Sequence, residues 1–177
     1  SFVSPLCALS SALFTARTVH HLLLMGVAAP LIAWALPKAR LPLLVVTLLQ
    51  AVVLWAWHAP TAYGAALSND AFYWLMQISL LASAVAFWSA VRGAEILPAT
   101  GAVLATLVHT GLLGAVLTFA PEPVYAPHAL TTLAWGLGWL EDQQLAGLIM
   151  WAPGAGLYLI AALAIAGRRI GWRERPA

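Results

Sequence analysis

The sequence predicts an all-α integral membrane protein, a bundle of about five transmembrane helices. The chain is 63% hydrophobic and 8% charged, against roughly 25% charged in a soluble domain. Its mean hydropathy is +0.90. Its apolar runs approach or reach the roughly 20 residues a helix needs to cross the hydrocarbon core. The polar surface is too small to face water on all sides, so lipid has to be the solvent for most of the molecule.

The elements follow in order along one membrane domain spanning residues 1–177. Residues 1–16, with Ser1, Ser4, Ser10, Ser11 and Thr15, are too short and polar to cross and are expected to form an interfacial segment. SFVSPLCALS also lacks the basic start of a signal peptide. Span one is placed at about 17–36, closed by Pro37 and Lys38. Span two is placed at about 42–57 and opens on Pro42, a residue tolerated in a first helical turn. Spans three and four cover about 71–91 and 98–119. Span five covers about 142–166, with a kink expected where Pro153-Gly154-Ala155-Gly156 interrupts it.

The cations set an orientation. Lys38, Arg40, Arg92, Arg168, Arg169, Arg173 and Arg175 fall on one side of a five-span bundle, and only Arg17 lies towards the other. The positive-inside rule then places the N-terminus outside and the C-terminus in the cytoplasm. Trp55, Trp57, Trp74, Trp135 and Trp139 fall near the outer boundary and Trp34, Trp88 and Trp172 near the inner one, as an interfacial belt would. The basic residues form no stripe, which argues against a nucleic-acid partner. The one cysteine, Cys7, excludes an internal disulfide.

Ionisable residues concentrate at the outer end. Arg17, His21 and Met25 share a face of span one at i, i+4, i+8. Asp142, Ala146 and Met150 repeat that spacing on span five, and His58 ends span two. Five candidate metal ligands result: His21, His58, Asp142, Met25 and Met150. Imidazole with thioether suits copper, Cu(I) in particular. The alternative is that the same polar groups hydrogen-bond between helices and hold the bundle together. Arg17 is expected to meet Asp142 or Glu141, or else to reach the surface. His20 is expected at the lipid face or as a cap, and His128 as a solvated loop residue. Mid-membrane His109 matches no second histidine at its depth for a haem, so it is expected to hydrogen-bond to a neighbouring helix. Gly111 and Ala115 offer a close helix contact. No hydrolase or oxidoreductase motif is present.

Taken together, several segments resemble the CtaG-like membrane proteins associated with cytochrome c oxidase assembly. They include His21-Leu22-Leu23-Leu24-Met25, Trp57-His58-Ala59-Pro60, Gly111-Leu112-Leu113-Gly114-Ala115 and, most specific, Glu141-Asp142-Gln143-Gln144-Leu145-Ala146-Gly147 through Met150-Trp151-Ala152-Pro153-Gly154. The resemblance implies a non-enzymatic assembly factor in a bacterial inner membrane. It would act on the oxidase catalytic subunit, with copper as the associated metal. It also implies departures: the family usually carries His at Arg17 and Gln at His20, and often Glu-His at Met76-Gln77. An accessory subunit without metal is the alternative, and a small transporter opening at Pro153 to Gly156 the third reading.

Overall fold

A computed structural model describes residues 5–37 and 41–173, with side chains from Leu9 to Pro37 and from Leu41 to Gly167. Lys38 and Arg40, and the side chains of Arg168, Arg169, Trp172, Arg173 and Arg175, lie outside what is described. All regular structure among the described residues is helical.

Short helix α1 (Pro5–Ala12) packs on α2 (Phe14–Leu23) and is separated from it by the extended Leu13. From α2 the chain continues through a π-helical turn, Leu24–Ala28, into α3 (Ala29–Ala35). Phe14–Ala35 is therefore one span-length helix, and it starts three residues before the boundary the sequence suggests. α4 (Leu43–His58) is followed by α5 (Pro60–Ser68), bent from it by 72°. The bend has a local cause. Pro60 bars Ala59 from helical geometry, and Ala59 is extended at φ −64°, ψ 130°. Residues 58–70, expected as an outer loop, thus hold a second helical segment.

α6 (Asp70–Gly93) and α7 (Ile96–Thr118) are unbroken spans. α8 (Trp139–Ile149) passes through a second π-turn, Met150–Gly154, into α9 (Ala155–Arg173). The expected interruption at Pro153 is this π-turn. It absorbs the missing N–H and leaves Trp139–Gly167 continuous enough to cross as one helix. Among the described residues four helices are long and apolar enough to cross a membrane, or five if the bent α4–α5 pair counts as one span.

The interior is more polar than the exterior, as lipid solvation demands. Arg17, Gln50, Gln77, Thr106, Asp142 and Gln143 are buried, while Leu44, Ile78, Leu97, Val108, Ile160 and Leu163 are exposed. The tightest seam is α7 against α8. A Cβ on Gly114 would come within 2.7 Å of Trp151 N, and one on Gly147 within 2.6 Å of Thr118 N. Close packing was expected at Gly111 and Ala115, but Gly111 sits at ordinary contact distance, 3.6 Å from Trp151. Backbone meets backbone one turn further along.

Residues 119–138 fold over the His58 end of the bundle. Val124 N donates to Gln143 Oε1 (2.6 Å), Thr131 Oγ1 to Ala12 O (2.6 Å) and Trp139 Nε1 to Tyr125 O (2.9 Å).

Candidate metal centre

His21, Met25, His58 and Met150 line one cavity, together with Thr18, Leu22, Leu54, Thr110 and Tyr158. Its volume is about 20 Å³, room for one water or one monatomic ion. The helices place these groups at matched depth. Met25 and Met150 each stand eleven residues beyond the first residue of their span, Phe14 and Trp139, so both lie roughly 16 Å in by helical rise. Each methionine also belongs to a π-turn. A π-turn inserts one residue into the helix and re-aims the side chains around it, and such turns concentrate at functional sites.

The ring nitrogens are unequal. His58 Nδ1 lies 2.8 Å from Leu54 O, one turn back in α4. That carbonyl can only accept, so Nδ1 carries the proton and Nε2 keeps its lone pair. His21 Nε2 is buried without a partner among the described residues, and so is Thr18 Oγ1 beside it. The Gln77 side chain acts on His21, while Gln77 Oε1 is itself buried without a hydrogen-bond partner among the described residues. His21 Nε2 presents a lone pair when the other ring nitrogen carries the proton. A buried nitrogen left unpaired costs about 1–3 kcal/mol, which a bound ion or water would recover. The donor set around the cavity is thus two imidazoles and two thioethers, all neutral.

Asp142 is elsewhere, and the expectation that it shares the pocket is corrected. It is fully buried, with Oδ2 accepting from Phe14 N (2.7 Å) and Oδ1 from Thr15 N (3.1 Å). The carboxylate therefore caps the N-terminus of α2 from the first turn of α8, favourable to both helix dipoles. Both its oxygens bond backbone, so it orients no histidine. Its own carbonyl accepts from Thr15 Oγ1 at 2.9 Å.

The neighbouring residues of that motif tie down other elements. Glu141 Oε2 accepts from Gly138 N (2.8 Å), Gln143 holds Val124, and Gln144 Nε2 donates to Ala120 O (3.3 Å). Four consecutive side chains thus fasten α2, the turn into α8 and the crossing loop.

Arg17 pairs with no carboxylate among the described residues and does not reach the surface. It is 2% exposed. Its Nε donates to Ser10 O at 2.9 Å, and its guanidinium carbon lies 5.7 Å from the ring centroids of both Tyr63 and Tyr73. Two π faces and one carbonyl replace the expected counter-ion, because Asp142 is already held by α2.

His128, expected in solvent, is 1% exposed. Its Nδ1 lies 3.3 Å from Ala12 O and its Nε2 2.7 Å from Tyr63 Oη, in an aromatic group with Phe14 and Tyr125. Nδ1 therefore carries the proton, and the Tyr63 hydroxyl donates to Nε2. Burial pushes this imidazole below the usual 6.5, and Arg17 adds to the shift. The Ala12 carbonyl and Asp142 oppose them. Burial pushes the Tyr125 hydroxyl up, and it donates to His58 O at 2.9 Å.

His20 is buried, its ring 5.8 Å from that of His21, rather than facing lipid. His109 lacks its expected hydrogen bond. Both ring nitrogens are buried with no partner among the described residues, and its helix neighbours Val108 and Leu112 face outward.

Thr18, Thr110 and Tyr158 are the polar lining residues that spacing missed. Tyr158 follows Met150 across a π-turn, which shifts the register on which an i, i+4 reading depends. Thr18, three residues before His21, was open to such a reading.

The family model for the cytochrome c oxidase caa3 assembly factor matches residues 41–171. His58, Asp142 and Met150 fall within the matched residues, and His21 and Met25 precede them. No curated protein and no solved structure matches the chain.

Proposed function

This chain belongs to the cytochrome c oxidase caa3 assembly factor family, and from that premise we propose that it handles Cu(I) for the oxidase catalytic subunit. Copper here is cargo, held between His21 Nε2, His58 Nε2, Met25 and Met150 in the bacterial plasma membrane. The observation that carries the reading is the meeting of these four donors, from three spans, around a cavity of single-ion size. Two neutral imidazoles and two thioethers favour soft Cu(I) over zinc or magnesium. The Leu54 carbonyl fixes the orientation of the His58 ring, as an outer partner of a metal-bound histidine does. The charge asymmetry supports an N-terminus outside, with the cavity nearer the outer face.

The Asp142 carboxylate contributes by holding α2, and with it His21 and Met25, against α8. An accessory role without metal is the second reading. It is favoured by Arg17, whose charge acts on His21 from one turn away and opposes a cation there.

Loading purified protein with Cu(I) under reducing conditions, with stoichiometry and thermal unfolding measured on one preparation, separates the two readings. Wild type is expected to bind one equivalent. His58→Ala should lose it while still unfolding cooperatively. Wild-type protein that stays metal-free overturns the copper reading and leaves the accessory one.

A further inference from the structure

At the opposite end of the bundle a second cavity, of about 230 Å³, lies between α3, α6, α9 and the start of α7. Its walls are apolar, with Pro30, Ala33, Ala161, Ala164 and Ile165 among them, and its charged lining residue is Arg92. No acidic side chain is among the described lining residues. Apolar cavities of about 150 Å³ take up small hydrocarbons, so this one is large enough for a stretch of acyl chain.

Arg92 ends α6. Its Nη1 donates to Trp34 O and its Nη2 to Leu36 O, both at 2.8 Å, which caps the end of α3. A guanidinium has five N–H donors, so three remain, and Nε is buried without a partner among the described residues. Trp34, also on the lining, is 64% exposed, as an indole at a lipid interface would be. A cation with donors to spare above an apolar slot whose described lining holds no acid is complementary to one kind of molecule present throughout a membrane.

We propose that this pocket binds an anionic phospholipid, with one acyl chain in the cavity and the phosphate at Arg92. The site is independent of copper. The orientation proposed above puts Arg92 in the cytoplasmic leaflet, where anionic lipids attract basic residues.

The test is lipid retention by purified protein, measured by native mass spectrometry and thermal unfolding in micelles doped with dioleoyl phosphatidylglycerol or dioleoyl phosphatidylcholine. Wild type should retain phosphatidylglycerol about fivefold better, the effect of one cation near an anionic headgroup. Arg92→Gln should abolish the preference. Ala164→Trp, at an exposed position, should fill the slot with the charge intact and weaken retention of phosphatidylglycerol. Equal retention of the two lipids by wild type, a preference that survives Arg92→Gln, undiminished phosphatidylglycerol retention by Ala164→Trp, or the same stabilisation from inorganic phosphate overturns the proposal.

Discussion

At the scale of single residues, the buried polar groups divide into those that fasten the fold and those left with spare bonding capacity. Asp142 belongs to the first kind. Asp142→Asn keeps the shape but replaces one accepting oxygen with a donor that faces a backbone N–H. A loss of about 1–3 kcal/mol is expected, read as a lower unfolding temperature at neutral pH. His128 is similar. His128→Ala should destabilise the protein by leaving the Tyr63 hydroxyl unpaired, with Cu(I) stoichiometry unchanged because His128 does not line the cavity.

The pH dependence of His128 has a definite sign. Its folded value lies below 6.5, so between the two values the unfolded chain binds more protons. The stabilisation is complete above about 6.5 and is lost as pH falls through the folded value. Thermal unfolding at pH 7.5 and 5.5 should show a larger drop for wild type than for His128→Phe. An equal drop would mean the imidazole is not held neutral.

At the scale of elements, the two π-turns and the glycine seam decide where side chains end up. Trp88 Nε1 donates to Met25 O (2.8 Å) within one π-turn, and its ring stacks at 2° on Tyr158. Trp88, read from sequence as an interfacial anchor, is thus half-buried and braces the helix that carries Met25. The seam makes a separate prediction. Gly114→Ala and Gly147→Ala force backbone apart and should cost about 1–3 kcal/mol each. Gly64→Ala and Gly101→Ala, where a Cβ meets nothing within 4 Å, should leave the unfolding temperature nearly unchanged.

At the scale of the whole molecule, one end carries the aromatic and histidine groups under the 119–138 crossing and the other carries Arg92 and the apolar cavity. The proposed topology rests on charge and is open to labelling. Ser68→Cys should react with impermeant maleimide from outside intact cells, and Gly167→Cys only after permeabilisation. Reaction of Ser68→Cys from the cytoplasmic side alone would invert the orientation and move the phospholipid pocket to the outer leaflet.

Hydropathy and charge by themselves led to a bundle of about five membrane-spanning helices, because span length and the cost of charge in hydrocarbon are properties of sequence; four or five helices of the described residues are long and apolar enough to cross. Spacing brought out His21 and Met25 on span one and Asp142 and Met150 on span five, since residues four apart share a helix face whatever the helix packs against; His58 joined them as the residue that ends span two. Only the tertiary structure decided that His21, Met25, His58 and Met150 surround one cavity, that Asp142 caps α2 and that Arg17 lies between Tyr63 and Tyr73. Those outcomes depend on which partner a buried polar group reaches first across long stretches of chain, more than 100 residues for Asp142. For Asp142 the partner was the free backbone N–H groups of α2, which no periodicity in the sequence records.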